Sequence, residues 1–139
     1  MHRTPIEVRW GELDPYHHVN HAAYLSYMEH ARVAVLDAAG WGMEELTARG
    51  YMVLVVRVDV KFVRPAAAGD RLEVHTSVVE IGASRSTWSQ TIVRGEERLV
   101  AAEVQAAFTD LEGRPVRAPE DLRDALKRVA GSDNDPPNI

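Results

Sequence analysis

The sequence predicts an α+β domain, a curved antiparallel sheet of five strands wrapped around one long central helix. Three observations carry this reading. One long stretch, from Asn20 to Gly40, repeats its apolar residues at helical spacing. Four later stretches alternate apolar and polar residues, the period of a strand. Short turn signals separate those later stretches, as an antiparallel meander requires. The 139 residues fit one domain, expected over residues 1–130, and the Ser, Asn, Asp and Pro of 131–139 predict a disordered tail.

The elements follow in chain order. Ile6, Val8 and Trp10 alternate with Glu7, Arg9 and Gly11 and predict a short half-buried strand. After a polar loop, Tyr24, Tyr27, Met28, Ala31, Val35 and Ala38 mark the buried face of the helix, with Ser26, His30, Val33 and Asp37 opposite. Asn20 is the expected N-cap and Gly40 the stop. Met43 to Arg49 predicts one or two further helical turns ended by Gly50. From Tyr51 the period changes to two: Leu54, Val56, Val58, Val60 and Phe62 are expected on one face, Arg57, Asp59 and Lys61 on the other, up to Arg64-Pro65. Leu72, Val74, Thr76, Val78 and Glu80 form the next alternating set. Thr87–Val93 and Leu99–Leu111 complete the sheet through a turn at Gly95. Pro119-Glu120-Asp121 opens a C-terminal helix reaching about Val129, with Pro near its first position and acids in the first turn. One helix covers only part of such a sheet, so dimerisation that extends it is expected to protect an edge.

Composition narrows the function. The net charge of −5 argues against a nucleic-acid binder, which needs a basic footprint. The chain has no cysteine, which excludes disulfides, thiolate metal sites and a Cys nucleophile. The first residues have no apolar signal core, and no apolar run approaches the ~20 residues of a membrane span, so a cytoplasmic protein without membrane contact is expected.

The chemistry concentrates in Asp14-Pro15-Tyr16-His17-His18-Val19-Asn20-His21. A carboxylate here precedes a helix N-terminus, which offers unpaired N–H groups and the positive end of the helix dipole. Such an end can hold a developing oxyanion, and the carboxylate can act beside it as base or nucleophile. Two plainer readings stand beside this one. Asp-Pro is also an ordinary turn opening. Three histidines around a carboxylate also invite a metal, although adjacent His17 and His18 point differently and no metal is expected.

These residues resemble the hotdog-fold acyl-CoA thioesterases, and among them the 4-hydroxybenzoyl-CoA thioesterase-like branch. The pattern that carries the resemblance is a strand followed by Asp14, then His17-His18-Val19-Asn20-His21, Tyr24, and Glu29 with Arg32 on the helix. Phe62-Val63-Arg64-Pro65 followed by Gly69-Asp70 adds to it, and the likeness covers residues 5 to 115. Two positions depart: the family often has Gly at His17 and Asn at His21. A Gly would accept a left-handed backbone more readily than His17 does.

The resemblance implies a hydrolase that cleaves an acyl-CoA or acyl-carrier-protein thioester, needs no cofactor and assembles as a homodimer or homotetramer. It implies Asp14 as base or nucleophile and the backbone N–H near His21 as the group polarising the carbonyl. His18, Asn20 and Tyr24 are expected to order the site. Lys61, Arg64, Arg85 and Ser86 are the candidates for holding CoA, with Arg94 a further cation of the right sign. Glu29 and Arg32, three apart on the helix, are expected to pair with each other, with Glu29 the fallback catalytic carboxylate. Tyr24, Tyr27, Met28, Trp41, Met43 and Met52 either line an acyl pocket or fill the core. Two rival functions remain: a non-hydrolytic acyl-thioester binding protein on the same fold, and a dehydratase, whose His-centred helix arrangement the His18-Val19-Asn20 context does not match.

Overall fold

The computed structural model describes residues 1–131. It contains strands β1 (His2–Glu7), β2 (Tyr51–Phe62), β3 (Arg71–Ile81), β4 (Arg85–Arg94) and β5 (Glu97–Asp110), with helices α1 (His21–Ala38), α2 (Met43–Ala48) and α3 (Glu120–Ala130). All pairings are antiparallel, in the order β1-β3-β4-β5-β2. The sheet therefore has β1 and β2 at its edges, and α1 lies against its concave side. Among the described residues no helix is long and apolar enough to cross a membrane.

Helix α1 begins where its sequence provides a cap. The Asn20 side-chain oxygen accepts the Ala23 N–H at 3.0 Å, satisfying one donor that the first turn leaves open. Tyr24, Tyr27, Met28, Ala31 and Val35 are buried as the spacing predicts, but Ala38 is exposed and Leu36 takes its place in the core. Gly40, at φ 81°, adopts the left-handed conformation that ends the helix.

The apolar interior falls into two clusters. The first surrounds the N-terminal half of α1 and includes Val19, Tyr24, Met28, Val74 and Ile92. The second surrounds its C-terminal half and includes Leu36, Trp41, Trp88, Phe108 and Leu122. Helix α3 closes the second cluster with Leu122, Ala125, Leu126 and Ala130. Pro119 is its N-cap, one position before the expected site.

Three sequence expectations need correction. The first strand ends at Glu7; Trp10 lies in a short 3-10 turn (Trp10–Glu12) and is 84% exposed, because the chain leaves the sheet to enter the polar loop. In β2 the pairing shifts between Val55 and Arg57, so the alternation changes phase there. Phe62, Val60 and Val58, opposite Val100, Ala102 and Val104, share the helix side of the sheet, where Val60 packs on the first cluster; beyond the bulge Val55 and Val53, opposite Ala106 and Phe108, take that side, and Val53 packs on the second cluster. Leu54 and Val56 thus leave the face predicted for them. A second bulge between Val78 and Glu80 turns Ile81, not Glu80, toward the core. Bulges at similar levels in two strands add local twist, which helps the sheet curve around the helix.

Gly131 bridges to Val78 and its carbonyl accepts the N-terminal ammonium of Met1 at 3.1 Å. The rest of the expected tail, 132–139, lies outside the described residues.

Candidate active site

The loop before α1 is built almost entirely from hydrogen bonds. Leu13 pairs with Val19, and the Asp14 N–H donates to the His18 carbonyl at 2.7 Å, giving a very short hairpin. Between these, the Asp14 side-chain Oδ1 accepts the N–H groups of Tyr16 at 2.8 Å and His18 at 3.1 Å. This is the turn role expected of Asp, but it uses only one carboxylate oxygen. Among the described residues, Asp14 Oδ2 accepts no hydrogen bond. The plain turn reading and the chemical reading are therefore compatible: one oxygen orders the loop and the other is available.

His17 closes the turn at φ 61° and is the only non-glycine residue with positive φ among the described residues. The family's preferred Gly at this position has its physical reason here, since an L-residue meets a steric cost in that conformation.

Helix α1 and the segment after β2 form the other walls. The cleft, ≈ 280 Å³, is lined by Asp14, His18, His21, Tyr24, Phe62 and Arg64, with Val19, Val63 and Pro65 between them. The loop and this segment are stitched together. The Val19 N–H donates to the Ala66 carbonyl at 2.8 Å, His18 bridges to Ala67, and the Ala66 N–H donates to the Tyr24 hydroxyl at 2.8 Å. At the helix start the Ala23 N–H is taken by Asn20, whereas the N–H groups of His21 and Ala22 have no acceptor among the described residues. Asp14 and the open helix start at His21 thus border one cleft. That arrangement can bring a nucleophile to a carbonyl carbon while its oxygen gains hydrogen bonds.

The residues expected to order the site each make specific bonds. Asn20 is both donor and acceptor: its Oδ1 caps α1, and its Nδ2 donates to the Glu12 carbonyl at 2.9 Å. Asp could not supply that donor, which explains Asn at the cap. His18 orders the loop through its backbone N–H to Asp14. Tyr24 is buried and holds the Ala66 segment through its hydroxyl.

The cations divide. Arg64 lines the cleft and donates to Glu97 at 3.0 Å. Lys61 pairs in register with Ala101 on the face opposite Phe62, so its side chain leaves from the outer side of the sheet. Arg85 and Ser86 border a separate small cavity with Leu36, Phe108 and Leu122, near the far end of α1. Within one protomer they do not meet the Asp14 cleft, and the Ser86 hydroxyl already accepts the Trp88 indole N–H at 2.9 Å. Arg94 is committed to Asp70 and Glu97; those hydrogen bonds raise its pKa, despite some opposing burial.

Glu29 and Arg32 do not form the predicted pair. Arg32 turns inward and donates to the Gln90 Oε1 at 2.8 Å, while the Gln90 Nε2 donates to the Met28 carbonyl and the Thr76 hydroxyl. Burial lowers the Arg32 pKa, with Glu29 partly opposing the shift. A fully buried Gln needs partners for both ends of its amide, and Arg32 is one of them. Of the residues considered for an acyl pocket, Tyr24, Tyr27, Met28 and Trp41 are core, whereas Met43 is half exposed and lines a cleft between α1 and β2. Among the described residues no group of three His, Cys, Asp or Glu side chains is placed to hold a metal ion.

A curved five-stranded sheet around α1, with a carboxylate loop packed at the helix start, defines a hotdog-fold protein. Comparison with known proteins specifies the family. The model of the thioesterase-like superfamily matches residues 8–126, and the chain belongs to that superfamily. It is 31% identical over 130 residues to the long-chain acyl-CoA thioesterase FadM of Escherichia coli K12, covering 91% of this chain and 98% of that protein. It is 29% identical over 125 residues to the chloroplastic acyl-acyl carrier protein thioesterase ATL3 of Arabidopsis thaliana, covering 88% of this chain but only 66% of the plant protein's length. Among solved structures, a thioesterase of Thermus thermophilus complexed with coenzyme A and zinc superposes with a TM-score of 0.80 at 28% identity, covering 94% of each chain.

Proposed function

We propose that this protein is an acyl-CoA thioesterase, releasing a carboxylic acid and the free thiol, with Asp14 as the reacting carboxylate. The observation that carries the reading is the free Asp14 Oδ2 sharing a cleft with the open start of α1. Membership of the thioesterase-like superfamily supports the reaction class, and the FadM relative supports CoA esters as substrates.

In the base form of the mechanism, Asp14 Oδ2 takes a proton from water. The water oxygen bonds to the thioester carbonyl carbon, and the carbonyl oxygen becomes an oxyanion that accepts from the helix N–H groups at His21. Collapse breaks the carbon–sulfur bond and the thiolate leaves. In the nucleophile form the carboxylate itself attacks, giving an anhydride that water then hydrolyses. Both forms need the ionised Asp14 and the helix end. Arg64, at the cleft, is the foremost candidate for a CoA phosphate, with Lys61 nearby in sequence. Arg85 and Ser86 would reach a cleft only on a partner's surface.

A homo-oligomer fits the same reading. Edge strand β2 exposes Leu54, Val55, Val56, Val58 and Phe62, an apolar edge that single soluble domains usually protect. Pairing between β2 edges in a homodimer would cover it. A cytoplasmic location remains part of the proposal.

A thiol-release screen over short, medium, long and aromatic acyl-CoAs, with an acyl-carrier-protein ester alongside, tests the function. Turnover of at least one class, lost in Asp14→Ala, is expected. Saturable binding without turnover across the panel would instead establish a non-hydrolytic acyl-thioester binder.

A further inference from the structure

Glu12, two residues before Asp14, ties the loop to α1 at two separate points. Its backbone carbonyl accepts both the Asn20 N–H and the Asn20 side-chain amide, each at 2.9 Å. Its side-chain Oε1 accepts the Arg9 N–H at 2.7 Å and the Tyr27 hydroxyl at 2.8 Å. Asn20 is the cap of α1, and Tyr27 lies two turns further along the same helix. One residue is thus fastened to the helix at two heights, and a chain fixed at both has little freedom to tilt or slide.

The Tyr27 side is built for this bond. The residue is 5% exposed and its ring stacks edge-on against Tyr24. Burial, first, and the Glu12 hydrogen bond, second, raise its pKa well above the ordinary tyrosine value, so the hydroxyl remains a donor. Without Glu12 that donor would lose its partner at the edge of the core.

We propose that Glu12 and Tyr27 are positioning residues: their hydrogen bond holds the Asp14 loop in register with the start of α1, so that the carboxylate and the helix N–H groups address the same carbonyl. The catalytic part of this rests on the reading of Asp14 given above. Neither residue touches the Asp14 cleft, and their effect passes through the backbone of residues 12–14. Misplacement of a reacting group by about 1 Å can cost on the order of 100-fold in rate, so loss of one of two fastenings is expected to cost about 10-fold.

The test uses the full chain and four variants, Tyr27→Phe, Glu12→Gln, Glu12→Ala and Asp14→Asn, with two readouts. Amide hydrogen exchange follows Asp14, Tyr16, His17 and His18, whose N–H groups close the loop. Thiol release gives kcat and KM separately. Tyr27→Phe keeps the ring and is expected to speed loop exchange about 10-fold while β5 amides stay unchanged. In the same variant kcat falls about 10-fold with KM within about twofold. Glu12→Gln keeps an acceptor oxygen and restores both readouts to near the parent level, whereas Glu12→Ala does not. Unchanged loop exchange in Tyr27→Phe would overturn the proposal, whatever the turnover. So would a loss in Glu12→Gln as large as in Glu12→Ala, since charge rather than position would then be at work. Parent-level turnover in Asp14→Asn would defeat the assignment of Asp14 instead, and the exchange readout separates that failure from this one.

Discussion

At its N-terminal end α1 is joined to the Asp14 loop by hydrogen bonds, through Asn20, Glu12, Tyr27 and the Ala66 segment. At its other end, fifteen residues or roughly 22 Å along, it is sealed by packing of Leu36 against Trp41, Trp88, Phe108 and Leu122. The two ends have different work to do. Packing is non-directional and tolerant of approximate shape, and it supplies stability. Hydrogen bonds fix direction, which the proposed attack from Asp14 requires. Substitutions at the packed end are therefore expected to cost more stability than those at the bonded end, where the proposed chemistry is the more sensitive readout.

The largest stability effect is expected at the packed end. Trp88 is 1% exposed, and Trp88→Ala leaves a cavity that costs about 3–5 kcal/mol, read as a lower denaturation midpoint. A loss below about 1 kcal/mol would mean that the second cluster does not carry the stability assigned to it. At the bonded end, Asn20→Ala removes the cap and the amide donor to Glu12 and is expected to cost about 1–2 kcal/mol. Asn20→Asp keeps the cap oxygen and loses only the donor, so its stability should fall between those of the parent and Asn20→Ala. His17→Gly removes the left-handed strain at φ 61° and should gain up to about 1 kcal/mol in thermal unfolding. A destabilised glycine variant would mean that the His17 side chain contributes more than its backbone costs.

The smallest effect is electrostatic and depends on pH. Burial pushes the Asp70 pKa up, but the Ala67 N–H and the Arg94 guanidinium outweigh it and hold the carboxyl below its ordinary value. A depressed folded-state pKa contributes stability above the unfolded value, and that contribution is lost as pH falls through the folded one. Asp70→Asn should therefore lower Tm at pH 7, and the gap from the parent should close as the pH drops below about 4. A gap that stays constant with pH would show that Asp70 acts only through uncharged hydrogen bonds.

The same contrast explains what the sequence disclosed. The packed face of α1 is legible because it repeats every three to four residues, and Asn20 is legible because capping is a local signal. Asp14 and its neighbours are legible through the resemblance and their place before the helix. The β2 bulge is not, because Tyr51 to Val56 are all apolar, so no polar residue marks the change of phase, which arises only on pairing with β5. Helical spacing assigns Arg32 to Glu29 because it sees only near neighbours, whereas the actual partner, Gln90, is 58 residues away. Glu12 and Tyr27, fifteen residues apart across a loop and a helix, likewise give no local sign of their bond.

The measurement that bears most directly on Asp14 is thiol release by Asp14→Asn, using an acyl-CoA that the parent protein turns over. The amide oxygen of Asn can still accept the Tyr16 and His18 N–H groups, so the loop is preserved while the charged oxygen is lost. With Asp14 as the reacting carboxylate, kcat falls by about 100-fold or more while the melting temperature stays near that of the parent. Turnover within about twofold of the parent would contradict this role and move the chemistry away from Asp14.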